Sequence, residues 1–165
     1  PVRSRAAVEK LWEYVIDGTV DIIASDHSPN APANKVPKEG SFWTVAEGVT
    51  SVQTLLHVVV TEGRKRGLSW ERLAELCSSN PAKLFGLYGR KGAVEVGFDA
   101  DLVLFDPEEE WVLKNEDLFH LQKNSPYSGR TFTGKVKQTL VRGTTVYREH
   151  EITVAPGFGR FYRQD

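Results

Sequence analysis

The stretch Val20 to Pro29, Val-Asp-Ile-Ile-Ala-Ser-Asp-His-Ser-Pro, constrains this chain most. A short apolar run, Ile22-Ile23-Ala24, is cut off by Ser25-Asp26-His27-Ser28-Pro29. Apolar runs of this length bounded by turn residues fit a strand buried on both faces, the kind found in parallel sheets. In α/β folds the ends of such strands carry the chemistry. Two readings of Asp26 stand at this point. It caps the turn while His27 hydrogen-bonds to backbone, or it is a metal ligand or general base.

Composition narrows the classes. The 165 residues are 40% hydrophobic and 26% charged with a net charge of −1, which reads as a soluble globular protein, and the strand-end pattern points to an α/β fold. There is no basic excess to recruit nucleic acid or an anionic membrane. The densest basic cluster, Arg64-Lys65-Arg66, reads as the dipole-complementing end of a helix. No apolar run is long enough for a membrane span, and no secretory signal opens the chain. The one cysteine, Cys77, sits in an apolar pattern as a small core residue and fits a reducing, cytoplasmic compartment. The chain has no methionine and begins Pro1-Val2-Arg3, as after removal of an initiator or partway through a longer protein.

Ala7 to Ile16 shows helical spacing, with Gly18 as a stop. After the Val20–Ala24 strand comes Asp26 to about Trp43, rich in proline and without periodicity; a loop this long at a strand end is a candidate lid. Val49 to Gly63 reads as a second apolar helical face. Ser69 caps a third helix, and Asn80-Pro81 opens a fourth that exits at Gly86. Beyond Gly89 the texture turns to short strands at Ala93–Val96, Leu102–Phe105, Trp111–Leu113, Val136–Val141 and Thr145–Tyr147. The expected division is residues 1–90, 91–150 and a tail, 151–165, that docks on a surface through Phe158, Phe161 and Tyr162.

The chain has no Gly-rich phosphate loop, nucleophile elbow, Cys-x-x-Cys pair or His-Glu-x-x-His helix. His57 lies on an apolar helix and reads as a satisfied core histidine; His120 and His150 read as surface residues. A catalytic zinc takes about three protein ligands. Only Asp26, with His27 as a weak second, is on offer here.

Ser25-Asp26-His27-Ser28-Pro29, the Asn80-to-Gly86 helix and Gly97-Phe98-Asp99-Ala100-Asp101-Leu102-Val103 resemble the cyclic amidohydrolases, a group of allantoinases, hydantoinases and dihydroorotases. The likeness covers nearly the whole chain and corresponds to the C-terminal part of such an enzyme. It implies the C-terminal portion of a (β/α)₈ TIM barrel, with Asp26 ending the eighth strand, plus strands of a small β-sandwich. Ser28, Gln53 and Ser125-Pro126-Tyr127-Ser128-Gly129-Arg130 look most like the allantoinases.

What the resemblance implies is ring opening of a cyclic amide such as allantoin by a metal-activated hydroxide. Two divalent ions, typically zinc, and a carboxylated lysine would sit outside this chain, which is expected to hold no metal and show no activity by itself. Asp26 would be metal ligand and general acid/base. His27, Ser28 and Arg3 are the candidate substrate contacts. The expected partners are a cyclic ureide, the remainder of the barrel and further copies in a homo-oligomer. Alternatives are a hydantoinase (dihydropyrimidinase), a dihydroorotase or a non-catalytic structural relative.

Overall fold

A computed structural model describes residues 3–162. Helix α1, Arg5–Asp17, starts where the Ser4 hydroxyl accepts from the Ala7 amide and stops at Gly18, whose φ of 97° only glycine adopts easily. Of its apolar face Val15 is buried and Trp12 packs on the core, while Leu11 remains 55% exposed.

The expected strand at Val20–Ala24 is not part of any sheet. Its polar groups go to helices instead. The Ile23 amide donates to Leu76 O at 3.1 Å, and the Val20 and Asp21 carbonyls accept from Arg72 and Asn80 side chains. A parallel strand needs neighbours far away in the chain. The parallel pairings among the described residues are single bridges, His27 with Val49 and Tyr88 with Lys91.

Helix α2 begins later than its apolar pattern suggested, at Leu55, and runs to Arg64, leaving Val52 exposed in the preceding turn. It is followed by α3, Trp70–Ala74, a π-helical turn, Glu75–Ser79, and α4, Asn80–Leu84. Asn80 is therefore no N-cap. Its own amide bonds Glu75 O in the wide π pattern, and its side chain donates to Asp21 O at 2.9 Å. Pro81 has no N–H, and its ring would press on the carbonyl four residues back. The wider turn admits it without breaking the helix.

Four antiparallel strands follow in sequence order: β1 Leu102–Val112, β2 Thr131–Val141, β3 Thr144–Arg148 and β4 Glu151–Ile152. Ala93–Val96 forms no strand, and the side chains of Val94 and Val96 stand in solvent. Leu102–Phe105 and Trp111–Val112 are parts of one strand bulged between Asp106 and Glu110, with Asp106 Oδ1 accepting the Glu108 amide, and Leu113 lies just beyond its end. Arg142 and Gly143, both at positive φ, make the two-residue turn into β3.

Helix α2 lies between two cores. Val59 and Val60 join Val15, Leu68, Leu73 and Leu76, with half-buried Cys77 alongside. Val58 packs against Leu113, Leu118 and Phe132. The Thr61 hydroxyl locks the helix to β2, donating to Thr133 O and accepting from Thr133 N. His57 is the core histidine its position implied. Its Nδ1 donates to Gln53 O, its ring meets Trp111 edge-on, and burial pushes its pKa below the ordinary imidazole value.

The basic cluster does more than complement the helix end. Arg66 makes paired bonds of 2.8 Å to Glu9 of α1 and one of 2.9 Å to Glu62. The tail touches the body at two of the three expected residues: Arg142 holds the Phe158 carbonyl and the Arg90 guanidinium lies over the Tyr162 ring, whereas Phe161 is 88% exposed and does not dock. Its last three residues, 163–165, lie outside the described residues. Among the described residues no helix is long and apolar enough to cross a membrane.

Candidate functional site

Asp26 follows the unpaired apolar segment and is exposed, with φ at 45°. A non-glycine residue in this left-handed region costs roughly 1–3 kcal/mol and persists only where its surroundings over-determine it. Here they do, from the turn before α2. The Ser51 hydroxyl donates to Ser25 O at 2.7 Å, and the Ser51 and Val52 amides donate to His27 Nδ1 at 3.0 and 3.1 Å. Both neighbours of Asp26 are thus held by one turn, and the carboxylate between them faces outward.

The same bonds define His27. With Nδ1 accepting two amides, the ring proton belongs on Nε2, so this imidazole is a donor and not a metal ligand through Nδ1. The backbone-bonded reading of His27 is the one the structure shows. As for metal, the described residues contain no cluster of three or more His, Cys, Asp or Glu able to hold an ion. Asp26 fits the role of one ligand in a larger set.

Ser28 follows the single His27–Val49 bridge, its amide donating to Val49 O at 2.9 Å. Its side chain leaves no room beside Gly48, where an added Cβ would fall 2.3 Å from Ser28 Cβ. The loop beyond is closed on itself. Asn30 Nδ2 donates to Glu47 O at 2.7 Å, and Lys35 Nζ to Ala46 O and Gly48 O at 2.7 and 2.5 Å. Two 3₁₀ turns, Pro32–Lys35 and Phe42–Thr44, replace the irregular run expected there, and Trp43 is 90% exposed at its tip. Arg3 lies exposed ahead of α1, and no described hydrogen bond or ion pair joins it to Asp26, His27 or Ser28.

The strand-rich half reaches this rim. Gln53 donates from Nε2 to Asp117 O and accepts at Oε1 from the Phe119 amide, both at 2.9 Å. Buried Thr50 bonds Asn124 Oδ1 at 3.1 Å, and Asn124 Nδ2 donates to Asn30 O at 3.2 Å. A pocket of about 280 Å³ between Ser28, Asn30, Lys35, Thr50, Asn124 and Ser125 is the result. His120, expected on the surface, instead stands beside His27 with ring centroids 5.2 Å apart. Sequence reasoning missed Ser51, Asn124 and His120; the Thr50-Ser51 pair ahead of an apolar helix was the one local signal, and His120 had none.

Residues 3–146 match the amidohydrolase family. The chain is 45% identical over 164 residues to an allantoinase of Rubrobacter xylanophilus, a match that covers 99% of this chain and 35% of the relative. An L-hydantoinase of Paenarthrobacter aurescens is 38% identical over 162 residues, 98% of this chain and 35% of the relative. Among solved structures, an L-hydantoinase (dihydropyrimidinase) from Arthrobacter aurescens superposes with a TM-score of 0.92 at 38% identity, over 98% of this chain and 36% of that one. The chain thus spans about a third of the length of the relatives it matches.

Proposed function

This chain belongs to the amidohydrolase family, and from that premise we propose that it carries the Asp26-bearing part of a metal-dependent cyclic amidohydrolase. The proposed reaction is hydrolytic opening of a cyclic ureide, allantoin to allantoate. The observation that carries the reading is the exposed Asp26 carboxylate, presented just after the apolar Ile22-Ile23-Ala24 segment, with both of its neighbours held in place by Ser51.

In this proposal residues 1–90 are a segment of the barrel and 91–150 a part of its sandwich. The other metal-binding side chains come from the remainder of the barrel. A divalent metal, zinc in this reading, when bound lowers the pKa of water enough to furnish hydroxide near neutral pH and polarises a carbonyl. Asp26 is the ligand this chain would contribute.

The rest of the work belongs to the chain's own groups. Asp26 accepts the proton of the attacking hydroxide and returns it to the departing amide nitrogen. A carboxylate suits both halves of that transfer, because the same oxygen holds the proton between the two steps. His27 keeps the turn at Asp26 rigid and presents Nε2–H beside it, and Ser28 lines the adjoining pocket. Arg3 keeps its place as a proposed substrate contact only if an assembled barrel brings it across the rim. A homo-oligomer in the cytoplasm completes the proposal.

The hydantoinase reading has a specific observation behind it, since the superposing structures bear that name. The deciding experiment is turnover of allantoin, hydantoin and dihydroorotate by the active enzyme that contains this chain, with Asp26→Asn as control. Allantoin turnover abolished by Asp26→Asn supports the reading. Opening of hydantoin alone would change the substrate and keep the mechanism. Metal-loaded protein that opens none of the three would point to a structural relative.

A further inference from the structure

His120 is brought to the neighbourhood of Asp26 by the strand-rich half and has no role in the reaction above. The Gln53 clamp on Asp117 and Phe119 sets the position of the segment that carries it. Both of its ring nitrogens are buried, and neither has a hydrogen-bond partner among the described residues. An unpartnered buried polar atom costs about 1–3 kcal/mol, so a fold that keeps two of them on one side chain calls for an explanation. An apolar residue would fill the same space without that cost.

His27 supplies the complement. Its Nδ1 is occupied by the Ser51 and Val52 amides, which leaves Nε2–H as the ring's donor. An N–H···N bond of about 2.9 Å between two imidazoles, with each nitrogen roughly 1.1 Å from its ring centre, places the centroids about 5 Å apart. The centroids of His27 and His120 stand 5.2 Å apart, with their planes inclined at 57°. Such a bond requires the His120 ring to turn one nitrogen toward His27 Nε2.

We propose that His120 is a positioning residue for the Asp26 site, accepting the His27 Nε2–H and so fixing the residue that follows Asp26 from the side opposite Ser51. The inference rests on the assignment of Asp26 given above. Its physical point is the left-handed backbone of Asp26, which holds its geometry only as firmly as its neighbours are held. Ser51 grips one edge of the His27 ring, and His120 grips the other. The barrel segment and the strand-rich half are then joined at the residue beside the carboxylate.

The test uses the active enzyme that contains this chain. His120→Leu removes the acceptor, His120→Asn and His120→Gln place an amide oxygen near one or other ring nitrogen, and Asp26→Asn tests the underlying assignment. Loss of a partner to a metal ligand itself lowers activity about 10–100-fold, and His120 acts one residue further out, so the lower end of that range applies. The expected result for His120→Leu is a kcat lowered by about tenfold with KM within about twofold of the parent and metal content unchanged. At least one amide variant should recover most of that loss. In a ¹H–¹⁵N spectrum of the imidazoles, the His27 Nε2–H signal should be protected from exchange in the parent and exposed in His120→Leu.

Unchanged kcat in His120→Leu, with Asp26→Asn inactive, would overturn the role of His120 and leave the site assignment standing. Equal losses in all three His120 variants would show packing alone and overturn it as well. Turnover retained by Asp26→Asn would remove the site assignment and this inference together.

Discussion

The Ser51 hydroxyl donates to the Ser25 carbonyl at 2.7 Å, while the amide of the same serine donates to His27 Nδ1 at 3.0 Å. One residue thereby spans Asp26, taking hold of the chain immediately before and after it. The backbone between those two anchors is the left-handed turn that puts the Asp26 carboxylate outward.

Ser51→Ala deletes the first anchor and leaves Ser25 O without its buried donor. The expected cost is about 1–2 kcal/mol of stability, read as a lower denaturant midpoint. In the active enzyme kcat should fall while KM holds, because the amide to His27 survives but the turn loosens. Unchanged kcat would show that the amide anchor alone suffices.

Gln53→Glu tests the clamp between the two halves. An amide donates to Asp117 O and accepts from Phe119 N at once, which a carboxylate cannot do. The ionised glutamate would point an oxygen at a carbonyl, costing about 1–3 kcal/mol near neutral pH. Protonation restores a donor. Thermal midpoints measured between pH 7 and 4 should therefore show the variant gaining on the parent as pH falls.

Gly48→Ala meets two obstacles, a φ of 88° and the Ser28 side chain at 2.3 Å from the new Cβ. The expected destabilisation is about 2–4 kcal/mol, read by chemical denaturation. Adding Ser28→Gly should return the steric part and leave the backbone part, so the double variant should fall between the parent and the single one.

Acid should weaken the ion-pair cluster of Glu62 with Arg66, Lys65 and Arg130. Burial raises the Glu62 carboxyl, but hydrogen bonds from Arg66 and Lys65 and the charges of Lys65 and Arg130 outweigh it and hold the group at about 2. A carboxyl depressed in the folded state stabilises above its unfolded value of 4.5 and loses that contribution as pH falls toward 2. After solvent screening the contribution is about 1 kcal/mol. Arg66→Ala should lower stability at pH 7 and flatten the decline between pH 4.5 and 2. His57 adds an earlier window: its lowered pKa means that stability begins to fall below pH 6.5.

Local chemistry was legible in the order of residues. The Gly18 stop ends α1, and Ser69 caps α3 by accepting the Arg72 amide at 3.0 Å. Each depends on neighbours within a few positions, so pattern alone reaches it. The placement of Asp26 directly after an apolar run was likewise visible, because the run and its stop are contiguous.

What pattern could not reach depends on residues far apart in the chain. Val20–Ala24 reads as a strand, yet strand pairing is decided by partners elsewhere, and here helix side chains take its carbonyls. Leu102–Phe105 and Trp111–Leu113 read as two strands, yet β2 runs past the gap between them and Asp106-Pro107 becomes a bulge within β1, where a proline forfeits no ladder bond. Gln53 reads as a family mark, and only packing makes it the clamp on Asp117 and Phe119. The sequence by itself determined the helices, the hairpin and the exposed acid at the end of an apolar run. The tertiary structure alone decided that Ser51 would flank that acid and that His120 would lie beside His27, because those contacts exist only once the turn before α2 has docked between the two halves.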